Sequence, residues 1–350
     1  MVTRRSGAPA GLVALLEFQQ QACRAIGSVV YDRVLQRSID RVGRAGPIRD
    51  LLAPHRDDPF GSALALRYLG SVHRLVLEGR APDLAVHYPS VGGTPGVDLE
   101  ECFEAVVGAH LKDLRVLIEA GVQTNEVGRS ATLLGGLLDA AGDGLPLRVL
   151  ELGASAGLNL RWDHYRYEAG AATFGPPDSP VRFVGPWVDH VPPLDVTVEV
   201  VERRGCDPAP IDATTPAGRL TQRSFVWPDL VERLARLDAA IEVARTVPVA
   251  VDRADGVPWV AERLADPVEG AATVVVHSIV LQYMTADQRA DLMRTMVAAG
   301  ARATPTAPLV WLRLEPGREG AELRSTRWPG GAERLLAISA YHGPPVRWLR

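Results

Sequence analysis

One stretch constrains the fold more than any other: Arg148-Val149-Leu150-Glu151-Leu152-Gly153-Ala154-Ser155-Ala156-Gly157-Leu158-Asn159. Its first half is a short apolar run that fits a buried parallel strand. A turn of small residues follows, and the aromatic-rich run Leu158–Tyr167 then predicts a helix. Strand, tight turn and helix together make a phosphate- or nucleotide-type cradle, since free N–H groups and a positive dipole end meet the ligand there. A nicotinamide dinucleotide turn asks for glycine at its first, third and sixth positions. Counted from Gly153, the third is Ser155 and the sixth is Leu158, so two of the three positions fail and that chemistry is disfavoured. A hydrolase nucleophile elbow asks for G-x-S-x-G, which Gly153–Gly157 matches letter for letter. Asp252, Asp255, His277 and His342 downstream offer it an acid and a base. Such an elbow normally follows several strands and an oxyanion loop, whereas the residues before this turn read as helices and loops. A serine hydrolase using Ser155 therefore stands as an alternative.

Composition narrows the class. The 350 residues suffice for two domains, and 47% apolar with 23% charged residues is ordinary for a globular chain. A net charge of −4 gives no electrostatic case for nucleic acid or an anionic membrane. Lys112 is the only lysine, which fits codon bias in a GC-rich genome. Cys23, Cys102 and Cys206 are scattered, so neither a disulfide framework nor a zinc spacing is expected, and a cytoplasmic location fits. Arg4-Arg5 ahead of Leu12–Phe18 superficially suggests an export signal. Glu17 interrupts that run, Gln19-Gln20-Gln21 follow it, and no small-residue cleavage site ends it.

Residues 11–140 carry helical stripes, including Leu69, Val72, Leu75 and Val76, and Leu99, Cys102, Phe103 and Val106. Two segments break them: the loop His87-Tyr88-Pro89-Ser90-Val91-Gly92-Gly93, and Gln123–Arg129, where Thr124 and Asn125 also suit helix capping. Beyond the central turn, Phe174–Pro193 reads as a loop or hairpin with an alternating run at Val181–Val184. Strands are predicted at Val196–Val201, Val247–Val251, Ala272–Ser278 and Leu309–Leu314, and a hairpin from Leu335–Ser339 and Val346–Leu349. Helices are predicted at Leu230–Ala244 and Ala286–Ala299. Ligands in open α/β sheets bind at the carboxyl ends of the strands, which directs attention to Glu202, Asp255, His277 and Glu315.

The central turn resembles the first motif of class I S-adenosylmethionine-dependent methyltransferases, an acid-x-Gly-x-Gly-x-Gly pattern. Here it runs Glu151-x-Gly153-x-Ser155-x-Gly157, with serine at the middle glycine. The resemblance implies a Rossmann-like seven-stranded sheet over residues 141–350, with a helical N-terminal cap over residues 1–140. It implies S-adenosyl-L-methionine held by Glu151, Gly153, Ala154, Ser155, Gly157 and Asn159, where missing side chains let the backbone approach closely. Glu202 would grip the ribose, although it follows the turn by about twice the usual ~20 residues. Asp255 and Gly256 would meet the adenine. His277 would act as acid–base with Tyr283 nearby, and His87, Tyr88, Asn125 and Arg129 would line the substrate site. No Asn/Asp-Pro-Pro-aromatic signature follows the fourth strand, so an oxygen or carbon acceptor is favoured. The expected partner is a small molecule, with no nucleic acid and no membrane, for a monomer or homodimer. A non-catalytic binding protein with the same fold is a further alternative. Across nearly its whole length the chain closely resembles a bacterial family catalogued as domain of unknown function 2332. Gln123–Arg129, Glu151–Asn159, Glu202–Asp212, Val226-Trp227-Pro228, His277–Tyr283, Trp328–Gly331 and His342-Gly343 carry that resemblance.

Overall fold

The structure, a computed structural model, describes residues 11–349, so Arg4 and Arg5 of the leader-like stretch lie outside the described residues. No helix among the described residues is long and apolar enough to cross a membrane. The chain divides into two compact units: one runs to Thr124 and takes in Pro216–Ala235, and the other comprises Asn125–Thr215 and Arg236–Arg350. Residues 125–140, expected in the helical part, thus belong with the sheet.

The first unit is helical, as the apolar spacing requires. Helices Leu12–Ile26, Val29–Val42, Leu64–Leu77 and Leu99–Ala109 bury their stripes in one core with Leu51, Leu84 and Leu114. Gly27, in the left-handed region at φ 84°, ends the first helix, and Ser28 caps the second through the Tyr31 N–H. The Pro216–Ala235 segment contributes a helix, Pro216–Ser224, and puts Trp227 into the core, 6.0 Å from the Tyr31 ring. Burial of each large side chain contributes about 1.5–3 kcal/mol.

The second unit is built on a sheet. Its strands are β1 (Leu147–Leu152), β2 (Arg166–Ala169), β3 (Ala172–Phe174), β4 (Arg182–Val184), β5 (Trp187–Val188) and β6 (Val200–Asp207). They continue with β7 (Ala250–Arg253), β8 (Ala272–Ser278), β9 (Leu309–Pro316), β10 (Ala321–Trp328), β11 (Ala332–Ala340) and β12 (Gly343–Trp348). The main sheet has nine strands, not seven, in the order β5-β12-β11-β10-β9-β8-β1-β6-β7. From β7 to β9 all neighbours are parallel, whereas β9 to β12 form an antiparallel meander. A small sheet, β3-β2-β4, is held by aromatic stacking of Tyr167 on Phe183 at 5.0 Å.

β1 is the middle one of the five parallel strands and is buried along its whole length, Arg148 and Glu151 included. Leu150, Leu152, Val275 and Trp311 face Trp259 and Val260 of helix Gly256–Arg263 and Leu292 and Met296 of helix Ala286–Gly300. Helix Ser130–Ala141 packs against the strands from β8 to β12.

Two expectations fail here for identifiable reasons. β10 was not foreseen because its inward positions include Ala321 and Ser325, too small to mark an apolar alternation. The helix expected over Leu158–Tyr167 is instead a 3₁₀ helix, Asn159–His164, broken at Arg161 (φ −102°, ψ 17°) and followed at once by β2. Side chains take the backbone groups that a helix would use. The Tyr165 hydroxyl donates to the Leu158 carbonyl at 2.5 Å, and the Arg161 guanidinium donates to the Gly157 carbonyl at 2.8 Å.

Candidate functional site

The turn at the carboxyl end of β1 alternates left-handed residues: Gly153 at φ 67°, Ser155 at 51° and Gly157 at 65°. Its polar groups are tied to the protein. The Ala154 N–H donates to the Cys206 carbonyl at 3.0 Å, the Ser155 N–H to Asp207 Oδ2 at 3.0 Å, and the Gly157 N–H to the Ala154 carbonyl at 2.7 Å. The Leu158 N–H donates to Asn125 Oδ1 at 2.6 Å. Asn159 accepts from Ser130 Oγ at 2.7 Å and donates to the Glu126 carbonyl at 3.3 Å. Ala154, Ser155 and Asn159 are buried. A Cβ on Gly153 would stand 2.6 Å from Val280 Cγ2, so the glycine admits a neighbouring side chain of the protein itself.

Asn125 and Arg129, expected to meet substrate, act here as fasteners. Arg129 donates to the Ser278 carbonyl at 3.1 Å and to the Tyr341 carbonyl at 3.0 Å, tying the end of β8 to the β11–β12 turn. Glu126 accepts from the Gly128 N–H at 3.0 Å and lies 3.7 Å from His342 Nδ1. A Cβ on Gly128 would stand 2.2 Å from the His342 carbonyl oxygen, so the two backbones touch. The segments Gln123–Arg129, Glu151–Asn159, His277–Tyr283 and His342-Gly343, remote in sequence, thus meet around the ends of β1 and β8.

Among the acids, Glu202 is not at a strand end. It sits opposite Arg148 within the β1–β6 ladder and pairs with it at 2.7 Å. β6 continues to Asp207, because Arg203 and Arg204 are strand residues paired with Asp163 and Asp252 and do not form a turn. Asp207 is therefore the strand-end acid, with its oxygens accepting from the Ser155 and Ala209 N–H groups. Asp252 is held down to about 2 by its hydrogen bond to Arg204, with Trp259 Nε1 donating to it at 2.7 Å. Asp255 is exposed at the start of helix Gly256–Arg263, and Gly256 faces the apolar Leu152 and Met284.

Glu151 differs from its neighbours. It is 2% exposed, and its Oε2 has no hydrogen-bond partner. Burial pushes its carboxyl up to about 8; Arg129 and Arg161 pull it down and Asp207 adds to the rise. The group is therefore mostly neutral at pH 7.

The next strands carry a second such pair. His277 is fully buried at the end of β8, and its Nδ1 lies 2.7 Å from Glu315 Oε1 at the end of β9. His277 Nε2 and Glu315 Oε2 have no partners. Ile279 stands in the left-handed region at φ 57°, a strained setting for a β-branched residue. Tyr283, expected beside the base, is 56% exposed.

His87 and Tyr88 lie in the helical unit. The Gly96 N–H donates to His87 Nδ1 at 3.0 Å, which leaves the proton on Nε2, facing Asp98 Oδ1 at 3.5 Å. The ligand atoms of His87, Asp98 and Cys102 lie within 4.8 Å of one another, but a protonated Nε2 offers a cation no lone pair. Tyr88 is fully buried, and burial raises its phenol well above the ordinary value.

Sequence reasoning missed Asp207 and the role of Glu315. Both end strands of the parallel set: the strand-end rule marked the position of Glu315 without its partner, and it could have found Asp207 as well. For Asp207 the obstacle was the charged run Glu202-Arg203-Arg204, before which the expected strand ended at Val201.

Neither the curated proteins nor the solved structures offer a match to this chain. The family comparison does, over residues 14–348: the chain belongs to the family described as "Uncharacterized protein conserved in bacteria (DUF2332)".

Proposed function

We propose that the protein is a class I-type S-adenosylmethionine-dependent methyltransferase acting on a small molecule. One observation carries the proposal: a parallel order β7-β6-β1-β8-β9 whose central strand ends in Glu151-x-Gly153, with a buried, unpaired carboxyl at that end. Crevices at the carboxyl ends of such strands are where ligands bind.

The residues fit the cofactor in three respects. Glu151 Oε2 wants a partner, which a bound ammonium group supplies. Leu152 and Met284 set apolar atoms against Gly256, beside the strand end where a flat base would be held. Asp207 stands at the next strand end, where a ribose diol is gripped in this fold class. A helix N-terminus for the cofactor's carboxylate is missing, since Leu158 has given its N–H to Asn125 and only a 3₁₀ helix follows.

When bound, the cofactor supplies a methyl group already activated on a sulfonium. The chain's task is to align the acceptor and remove its proton. His277 is the residue suited to the second task, because it stands at the end of β8 with its Nε2 without a partner. Titrating S-adenosylmethionine and S-adenosylhomocysteine into the purified protein in a calorimeter tests the proposal. Saturable binding of both supports it, and silence at millimolar ligand sinks it.

The serine hydrolase has one observation in its favour: Ser155 adopts a left-handed backbone inside G-x-S-x-G. Against it, the residue is 5% exposed, its N–H is given to Asp207, and its carbonyl accepts from the Ile211 N–H. Fluorophosphonate probes should therefore leave the protein unlabelled. Stoichiometric labelling that Ser155→Ala removes would reverse the choice.

A further inference from the structure

We infer that Glu315 is the positioning residue of this site: it fixes the His277 ring with its proton on Nδ1, leaving the Nε2 lone pair to receive a proton from the acceptor. The inference rests on the methyltransferase reading for its chemistry, but its geometry stands apart from it.

Glu315 Oε1 lies 2.7 Å from His277 Nδ1, and it also accepts from the Val280 N–H at 2.9 Å and the Leu281 N–H at 3.3 Å. An oxygen facing two backbone donors must itself be an acceptor, so the ring nitrogen donates to it. In a neutral imidazole that choice leaves Nε2 as the basic nitrogen. Nε2 is buried without a partner, and a buried polar atom left unmade calls for an explanation. An acceptor hydroxyl arriving beside it supplies one. The Trp311 ring, with its centroid 5.9 Å from that of the imidazole, forms an apolar wall.

The backbone between these residues is held against its own preference. Ile279 sits at φ 57°, with its N–H given to the Leu314 carbonyl at 2.8 Å, while Glu315 grips the two residues after it. Strain of this kind persists only where the surroundings over-determine it, and it gathers at functional sites.

The chemistry balances simply. The acceptor O–H gives its proton to Nε2 as its oxygen takes the methyl, and the electron pair of the broken carbon–sulfur bond stays on sulfur. The imidazolium formed keeps its Nδ1–H on Glu315 Oε1, which does not itself take up the proton. A neutral imidazole suits an acceptor hydroxyl of phenolic or enolic acidity.

Side-chain nitrogen NMR of the full chain tests the inference, with His277 assigned by the His277→Gln variant. The expected wild-type spectrum shows a protonated Nδ1 and an unprotonated Nε2. Glu315→Gln, whose amide oxygen can still accept, should keep that tautomer, and Glu315→Leu should lose it. A wild-type ring carrying its proton on Nε2 overturns the inference, as does a tautomer unchanged in folded Glu315→Leu. Should Glu315→Leu fail to fold, the wild type and Glu315→Gln decide, and a tautomer that differs between them overturns it. S-Adenosylhomocysteine titrations on the same samples separate the two proposals. A wild type with the expected tautomer but no binding retires the methyltransferase and leaves the Glu315–His277 pair standing.

Discussion

Two neighbouring regions of the sheet unit, both at the carboxyl ends of parallel strands, treat their polar groups in opposite ways. In the turn from Gly153 to Asn159, side chains from four separate segments satisfy the backbone and one another: Asn125, Ser130, Tyr165 and Asp207. At the strand ends themselves, Glu151, His277 and Glu315 each keep one buried polar atom without a partner. A satisfied network rigidifies and specifies a fold, whereas an unsatisfied atom costs free energy that only a ligand, a water or a function returns. The contrast teaches that the turn after Glu151 is held as architecture, while the unmet polar atoms stand at the strand ends beside it.

The largest expected effect breaks the fastened region. Gly128→Ala places a Cβ 2.2 Å from the His342 carbonyl oxygen, so one of two touching backbones must move. A loss of about 3 kcal/mol is expected, read as a lower thermal midpoint. An unchanged midpoint would mean that the contact does not hold the fold.

The next effect sharpens the other side. The Glu151 carboxyl is raised to about 8 from its ordinary 4.5, so the fold favours the neutral form. The stability this confers is complete below the ordinary value and is lost as pH climbs through about 8. Glu151→Gln cannot titrate there. Its stability relative to wild type should therefore rise between pH 5 and pH 8.5, by an amount on the order of a few kcal/mol. Denaturant titrations at the two pH values check this, and parallel curves would put Glu151 among the satisfied groups.

The smallest effect concerns Glu202. Its pair with Arg148 is partly exposed and lies mid-strand, so Glu202→Gln should cost about 1 kcal/mol or less. S-Adenosylhomocysteine affinity should not move. A large loss of affinity would return Glu202 to the ribose position and displace Asp207.

Much of this architecture was legible. Short runs rich in Val and Leu, in Leu147–Leu152 and Ala272–Ser278, announced the buried parallel strands, and the helical stripes before residue 120 announced one core. What escaped notice depended on contacts distant in sequence. The charged run Glu202-Arg203-Arg204 reads as the end of a strand until Arg148, Asp163 and Asp252 pair with it inside one. Leu158–Tyr167 has helical spacing, but Asn125 and Arg161 claim its backbone. At the site, Glu151 and His277 could be singled out from strand-end position. That Glu315 holds His277, and that Asn125 and Arg129 hold the turn, needed the fold itself.

The most direct test of a methyltransferase site built on an unsatisfied Glu151 is calorimetry with S-adenosylhomocysteine at pH 7, in two buffers of different ionisation heat. A ligand ammonium set against a carboxyl that is mostly neutral at pH 7 stabilises its charged form, so binding must expel a proton. The prediction is saturable binding whose apparent heat differs between buffers by a release of up to about one proton, abolished in Glu151→Gln. No binding, or equal heats in both buffers for wild type, would contradict it.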